Sequence, residues 1–343
     1  MSVLSRFIGQ SFRIPIPPLT EKNLPDQTGG VVIVTGGYAG VGYELTKILY
    51  QCNAIVYVAG RSPKKAAERI AEIEKAVRGS KGRLEFLQLD LGDLRTIKGS
   101  AEEFLKKEKR LDVLINNAGV MNVPAGSTTP QTHELQLGTN CLGPFLFTQL
   151  LTPLLKSTAD SSLPGSVRVS WAGSLGIDVQ SHNPGGIEFN STVHEPVTTD
   201  SKGKAKDPMR NYGQSKVGNL YLASQYATHH PLNTATGKGV ISNAFNPGNL
   251  KTELGRESRG IMMTLISLFM LFPAIFGAYT ELFAGWSEEM GRRERNGGYV
   301  IPWGRAGDVR SDIQAEVEKG VSGGEGRALE FWEWCERETR EFL

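Results

Sequence analysis

VVIVTGGYAGVG, residues 31–42, opens as an apolar β-branched run and closes on glycines, and a helical pattern carrying Leu45, Ile48 and Leu49 follows it. Strand, glycine turn and helix therefore follow one another directly. The same alternation repeats downstream. Strands are predicted over residues 54–59, 84–89, 111–116, 167–172, 240–245 and 298–301, and helices over 63–77, 94–107, 134–155 and 212–228. The strands are mostly apolar along their length, as expected when both faces of a sheet are covered. Alternating strands and helices with right-handed crossovers build an α/β, Rossmann-type doubly wound parallel sheet, expected as one domain over residues 31–310. Residues 1–30 read as an N-terminal arm. Residues 311–343 read as a C-terminal helical extension whose Trp332 and Trp334 pack on the domain.

Bulk composition narrows the partners. The chain of 343 residues holds 38 Lys+Arg against 36 Asp+Glu, a formal charge of +2, so no nucleic-acid partner is expected. Hydrophobic residues at 39% and charged residues at 22% match an ordinary globular domain. The three cysteines, Cys52, Cys141 and Cys335, lie far apart without a Cys-x-x-Cys pair, which argues against a zinc site and a disulfide framework. None of the five histidines has a His-x-x-x-His spacing, so no metal is expected. A reducing, cytoplasmic compartment is the default. Arg6 and Arg13 precede the first acid, Glu21, but no continuous apolar stretch of a secretion signal accompanies them. Residues 261–276 are strongly apolar, yet they fall short of the ~20 residues of a membrane span and contain Pro273.

Two segments break the rhythm, and both follow strands, where ligands of such sheets bind. Residues 176–211 are rich in Gly, Pro, Ser, Thr, Asp and Lys, too polar to form a core element, and their tip is expected to be mobile. Residues 250–290 are apolar and helical in pattern. Met262, Met263, Leu265, Leu268, Phe269 and Phe272 would either line a greasy pocket or pack as ordinary core.

The chemistry-bearing residues sit at strand ends. In the turn after the first strand, Gly36, Gly40 and Gly42 let the backbone bend tightly and approach a pyrophosphate, whose charge a helix N-terminus stabilises. The whole run from Thr35 through Gly37, Tyr38, Ala39 and Val41 to Gly42 is thus a candidate cofactor cradle. A glycine turn without a ligand is the plain alternative. At the end of the second strand, where an NAD enzyme commonly places a carboxylate, this chain has Arg61-Ser62. A guanidinium there suits a 2′-phosphate in forked geometry and Ser62 adds a hydroxyl, so the expected cofactor is NADP(H). Tyr212-Gly213-Gln214-Ser215-Lys216 puts Tyr212 and Lys216 on one helical face, an ammonium beside a phenol. A nearby Lys cation together with an oxidised nicotinamide should lower the phenol from its usual pKa of ~10 and make it an acid-base group. Ser170 and Ser174, at the edge of the fifth strand, both offer a hydroxyl.

Together, TGGYAGVG, NNAG at 116–119, YGQSK at 212–216 and NPGNLKT at 246–252 resemble the short-chain dehydrogenase/reductase family, over about residues 31–301. The likeness is to the branch of retinol dehydrogenases and fungal reductases, judged from NPGNLKTEL and FGAYTELFAGWS. The resemblance implies further roles. Asp90 and Leu91 would contact adenine, and Asn117, Ala118 and Gly119 would lie near the adenosine ribose, though each also suits plain turn chemistry. Aligned to the family's Ser-Ser pattern, Gly173 replaces the first serine, Ser174 takes the catalytic position and Ser170 becomes a sheet residue. Asn140 would complete the tetrad, from a helix that Gly143 and Pro144 disturb. Pro247, Gly248, Leu250 and Thr252 would close over the nicotinamide. The chain departs from the compact family plan between Ser174 and Tyr212, which stand 38 residues apart.

The activity so implied is hydride transfer between NADP(H) and a lipophilic ketone or aldehyde and its alcohol, with a setting in secondary metabolism. Polyketides, terpenoids, steroids and retinoids fit that substrate class. A non-redox dehydratase, epimerase or isomerase on the same scaffold, and a non-catalytic NADP sensor, are the rival readings. A homodimer and peripheral membrane contact through residues 250–290 are further expectations. Replacing Arg61 by Asp should weaken NADPH far more than NADH. Fluorescence titration with both nucleotides checks this, and equal effects would show that Arg61 does not read the phosphate.

Overall fold

Five β-branched residues in succession, all buried, make β1 (Val31–Thr35) the centre of the sheet. The computed structural model describes residues 2–251, 271–322 and 324–343. Around β1, the strands β2 (Ile55–Gly60), β3 (Arg83–Gln88), β4 (Val113–Asn116), β5 (Arg168–Ala172), β6 (Ile241–Phe245), β7 (Gly298–Ile301) and β8 (Arg305–Gly307) form one eight-stranded sheet in the order β3-β2-β1-β4-β5-β6-β7-β8. All pairs are parallel except β7 with β8. The order in which strands are added to the sheet reverses between β1 and β4, which opens a crevice at their carboxyl ends.

Helices cover both faces. On one side α2 (Gly40–Gln51), α3 (Pro63–Ala76) and a later helix, Ala274–Trp286, bury Leu45, Leu49, Ile73, Ala278 and Leu282 against the sheet. On the other, α4 (Leu94–Lys107), α5 (Gly143–Asp160) and α6 (Pro208–His229) bury Phe104, Phe145, Leu151 and Tyr221. With Ala274–Trp286 numbered α7, the chain continues through α8 (Ser311–Val321) and α9 (Arg327–Thr339). These last two join the second core. Trp332 is buried edge-on to Phe145 at 4.9 Å and stacks on His229 at 4.5 Å.

The expected alternation is present, with local corrections. The second and third strands lie one residue from their predicted bounds. The helix predicted to start at Tyr212 begins at Pro208, because Pro suits a first helical position and the Asp207 side chain caps Met209 N at 3.0 Å. The helix predicted over 134–155 is interrupted: after Leu135–Leu137 it widens to a π-helical segment, Gly138–Leu142, before α5. Residues 176–211 are not excluded from the core, since Ile177 and Ile187 are fully buried. That segment folds back on itself through bridges Phe189↔Pro196 and Thr199↔Ala205. The N-terminal arm contains a helix, α1 (Val3–Ser11). Thr252, Met262, Met263, Leu265, Leu268 and Phe269 lie outside the described residues. The described residues on either side pair with each other: Lys251 N donates to Phe272 O at 2.9 Å and Phe272 N to Asn249 O at 2.8 Å. Among the described residues no helix is long and apolar enough to cross a membrane.

The entrance to α5 is tight. A Cβ on Gly143 would stand 2.2 Å from the Leu91 carbonyl oxygen, against backbone that cannot rotate away. Gly143→Ala should therefore lower stability by about 1–3 kcal/mol. The shift of the urea midpoint measures it.

Candidate active site

The turn after β1 has the backbone that a phosphate cradle needs. Gly36 and Gly40 have φ of +68° and +53°, a region that disfavours other residues. A Cβ on Gly42 would come within 2.7 Å of the Gly36 carbonyl oxygen and of Asn117 Nδ2, so a side chain there would fill the cradle. Ala39 precedes α2 without a capping side chain, and no acid stands in the first turn, so this helix end is left to an anion. Across the crevice, Asn117 Nδ2 donates to Thr35 O at 2.8 Å and Ala118 N to Thr35 Oγ1 at 2.9 Å. The residues present fit a dinucleotide.

Beside the end of β2, Arg61 is exposed. Tyr38 lies over Gly60, where a Cβ would sit 2.4 Å from the ring, and its hydroxyl accepts from Ser62 N at 3.3 Å. Ser62 Oγ caps α3 by accepting from Lys65 N at 3.3 Å, which leaves its own O–H to donate. Asp90 makes turn chemistry: its Oδ1 accepts from Gly92 N at 2.9 Å. Leu91 is buried in the core.

The catalytic candidates come together at the carboxyl ends of β4 and β5. Tyr212 and Lys216 are 6% and 4% exposed on α6, and Lys216 Nζ lies 5.5 Å from the Tyr212 ring centre. Lys216 Nζ donates to Ala172 O, the last carbonyl of β5, at 2.9 Å. Ser174 hydrogen-bonds the Tyr212 hydroxyl and accepts from Gly176 N at 3.1 Å. Two glycines bring the groups close. A Cβ on Gly119 would lie 3.0 Å from Asn140 Oδ1 and 3.5 Å from Lys216 Nζ, and one on Gly176 would lie 3.4 Å from Tyr212 Cε1 and 3.5 Å from Ser174 Oγ. Gly173, where the family pattern has serine, faces the Phe245 carbonyl and the Tyr299 ring, and a Cβ there would stand 3.0 and 3.2 Å from them. Ser170 is fully buried inside β5.

Asn140 lies in the π-helical segment. Its Oδ1 accepts from Val120 N at 2.8 Å, and its Nδ2 donates to Val120 O and Ser215 Oγ, both at 3.0 Å. Pro144 has no N–H to return to the Asn140 carbonyl four residues back, so that oxygen is spared from the usual helical ladder. After β6, Gly248 has φ of +92° and packs so closely on Trp303 that a Cβ would stand 2.4 Å from the indole. Leu250 and Val41 both pack against Gly277, where a Cβ would stand 2.4 and 2.9 Å from them.

Burial governs the electrostatics of the protein's own groups here. Burial holds the Tyr212 phenol above its ordinary range, with the Ser174 hydrogen bond opposing it, and the protein's own lysine does not reverse that balance. Burial likewise pushes Lys216 down to about 8. Desolvation here outweighs mutual attraction, because both groups are enclosed.

The sequence pattern described as short chain dehydrogenase matches residues 30–165. The chain is 43% identical to a short-chain dehydrogenase/reductase of Phomopsis amygdali, over 95% of this chain and 94% of the relative. It is 42% identical to the short-chain dehydrogenase/reductase pkfC of Emericella nidulans, over 95% and 98%. Among solved structures, an uncharacterized protein from Mycobacterium Paratuberculosis matches at 26% identity, with a TM-score of 0.62, over 94% of this chain and 97% of that one. The fold is also that of the NADPH-dependent 3-quinuclidinone reductase from Rhodotorula rubra, at 18% identity and a TM-score of 0.58, over 84% and 96%.

Because Lys216 binds its proton less tightly when folded than when unfolded, this residue's destabilising contribution is full below pH about 8 and fades as pH rises toward the ordinary lysine value. In the cofactor-free protein, carbon NMR of labelled lysine side chains should show one resonance titrating near pH 8, absent from Lys216→Met.

Proposed function

The chain belongs to the short-chain dehydrogenase/reductase family, and on that premise we propose that it is an NADP(H)-dependent oxidoreductase interconverting a lipophilic ketone or aldehyde and its alcohol. The observation that carries the reading is the convergence of Tyr212, Ser174, Lys216 and Asn140 on the space beside Gly119 and Gly176. Enclosure of that space, with Tyr212 and Lys216 nearly fully buried, keeps water from competing for the substrate oxygen.

The glycine turn and the first turn of α2 would hold the pyrophosphate, and Arg61 with the Tyr38 hydroxyl beside it would hold the 2′-phosphate. When bound, NADP(H) supplies or receives the hydride. The chain's residues manage the proton and the oxygen. In reduction, the neutral Tyr212 hydroxyl donates its proton to the carbonyl oxygen as charge builds there, and Ser174 Oγ hydrogen-bonds the same oxygen. A phenol held protonated by burial suits that direction. Lys216, anchored by one hydrogen bond to Ala172 O, has further protons to direct at the cofactor ribose and at the path that reloads Tyr212. The Asn140 carbonyl, which Pro144 leaves available, suits a water on that path. Oxidation runs the same steps in reverse.

A lipophilic substrate is supported by the wall beyond Gly248. Phe272 and Phe276 pack on Trp303 at 5.0 and 5.2 Å, next to the turn that would flank the nicotinamide. A cytoplasmic location follows as part of the same reading.

Tyr212→Phe should reduce NADPH-coupled carbonyl reduction about a hundredfold to ten-thousandfold while NADPH binding persists. Absorbance decay of NADPH with a panel of lipophilic carbonyls tests this. Near wild-type turnover in the variant would remove Tyr212 from the mechanism, and product formed without matching NADPH loss would favour an isomerase or dehydratase.

A further inference from the structure

A surface helix ordinarily buries its apolar side and shows its polar side to water. α1 departs from this. Arg6, Gln10 and Ser11 are buried and Phe7 and Ile8 half-buried, while Val3 and Leu4, and Phe12 just beyond the helix, are exposed. The most deeply buried contacts of α1 are polar, and such contacts are directional.

Those contacts lead into the catalytic loops. Gln10 Nε2 donates to Asp178 Oδ2 at 3.1 Å, and Asn246 Nδ2 donates to Gln10 Oε1 at 2.8 Å. Asp178 lies in the short helical turn Gly176–Val179 that follows Ser174. Asn246 stands at the start of the turn after β6, where its Oδ1 accepts from Gly248 N at 2.9 Å. Gln10, Asp178 and Asn246 are 3%, 1% and 1% exposed. One residue on, Asn249 Nδ2 donates to Ser11 Oγ at 3.0 Å. Arg6 adds its charge 3.9 Å from Asp178, and Arg305 Nη2 donates to Gly9 O at 2.6 Å.

We propose that Gln10 is a positioning residue, whose amide fixes the spacing between the Ser174 loop and the Asn246-Pro247-Gly248 turn. The chain of bonds has a set polarity: Gly248 N–H to Asn246 Oδ1, Asn246 N–H to Gln10 Oε1, Gln10 N–H to Asp178. Only a side chain with a donor at one tip atom and an acceptor at the other can stand in its middle. Glutamate, of nearly the same shape, offers no proton to the Asp178 carboxylate and sets a like charge against it. Ser174 and the Pro247-Gly248 turn bear on the substrate oxygen and on the nicotinamide, so a change in their spacing acts on hydride transfer more than on binding at the distant adenosine end. This inference rests on the oxidoreductase reading above.

The experiment compares wild type, Gln10→Ala and Gln10→Glu in four measurements. Amide hydrogen exchange in the cofactor-free protein should accelerate about tenfold or more at Gly248 and at residues 176–180 in both variants. The NADPH dissociation constant, from nucleotide fluorescence, should stay within about threefold, and kcat for phenanthrenequinone should fall about tenfold to a hundredfold. The isotope effect with deuterated NADPH should rise as hydride transfer becomes slower. If Gln10→Ala fails to fold, Ser11→Ala replaces it, releasing Asn249 alone, and should raise exchange at 248–250 with a smaller loss of kcat. The proposal is overturned if Gln10→Glu keeps wild-type exchange and kcat, because filling space would then be the residue's whole role. A wild type that neither binds nor consumes NADPH sinks the oxidoreductase reading instead, and the exchange comparison still decides the positioning role.

Discussion

Thr35 ties together the two lips of the crevice on which everything else is arranged. Its carbonyl takes the Asn117 amide, and its hydroxyl takes the Ala118 N–H while donating to Ile115 O at 3.2 Å. These bonds join the ends of β1 and β4 where the sheet order reverses. Strand ends at a reversal have no neighbouring crossover to cover them, so their terminal polar groups need partners from elsewhere. The glycine turn leaves from one side of this clamp and the chain toward Gly119 and Val120 from the other. Val120 then meets Asn140, and Asn140 meets Ser215 on the helix of Tyr212 and Lys216. The helix of Tyr212 and Lys216 is thus registered to the glycine turn through three bonded steps.

Missing side chains set the distances in this arrangement. Gly119 admits Asn140 and Lys216, Gly176 admits Tyr212 and Ser174, and Gly173 lets the end of β5 lie against Phe245 and Tyr299. On the outer side of α6, a Cβ on Gly218 would stand 2.6 Å from Phe331 and 2.9 Å from Cys141 Sγ. At Gly218 the helix of Tyr212 and Lys216 is therefore pressed against both the π-helical segment and α9. Enclosure has an electrostatic cost that both titrating groups display: the phenol is pushed up and the ammonium down. Burial thus favours the neutral form of each group, the protonated phenol and the uncharged amine.

Much of this was legible in the order of motifs. A β-branched run feeding glycines, Arg61 at the end of a strand, and Tyr212 four residues from Lys216 are local signals, and the fold uses them locally. What the sequence concealed depends on distant partners. Gly143 and Pro144 marked a disturbed helix, but the close approach of the Leu91 carbonyl to Gly143 is made by a segment distant in sequence. The capping role of Ser62 depends on where α3 starts, beside its part as a candidate ligand group. Residues 176–211 read as solvated because polar residues outnumber apolar ones, yet Ile177 and Ile187 suffice to anchor them. α1 was invisible because its useful face is polar, and apolar periodicity is the signal by which helices are read. β8 is a three-residue antiparallel edge strand, too short to register as a pattern.

The involvement of α1 and α9 bears on how such a site comes into being. Its frame draws on Gln10, Thr35, Asn140, Lys216, Gly248 and Phe331, so its contacts close very long loops of chain. Loop-closure entropy must be met before any of those contacts returns free energy, and chains dominated by such contacts fold slowly. Local elements such as β1, its glycine turn and α2 can form early as a unit. The proton-handling apparatus, in contrast, has no local precursor, and in a refolding time course a nucleotide-binding signal would rise before turnover does.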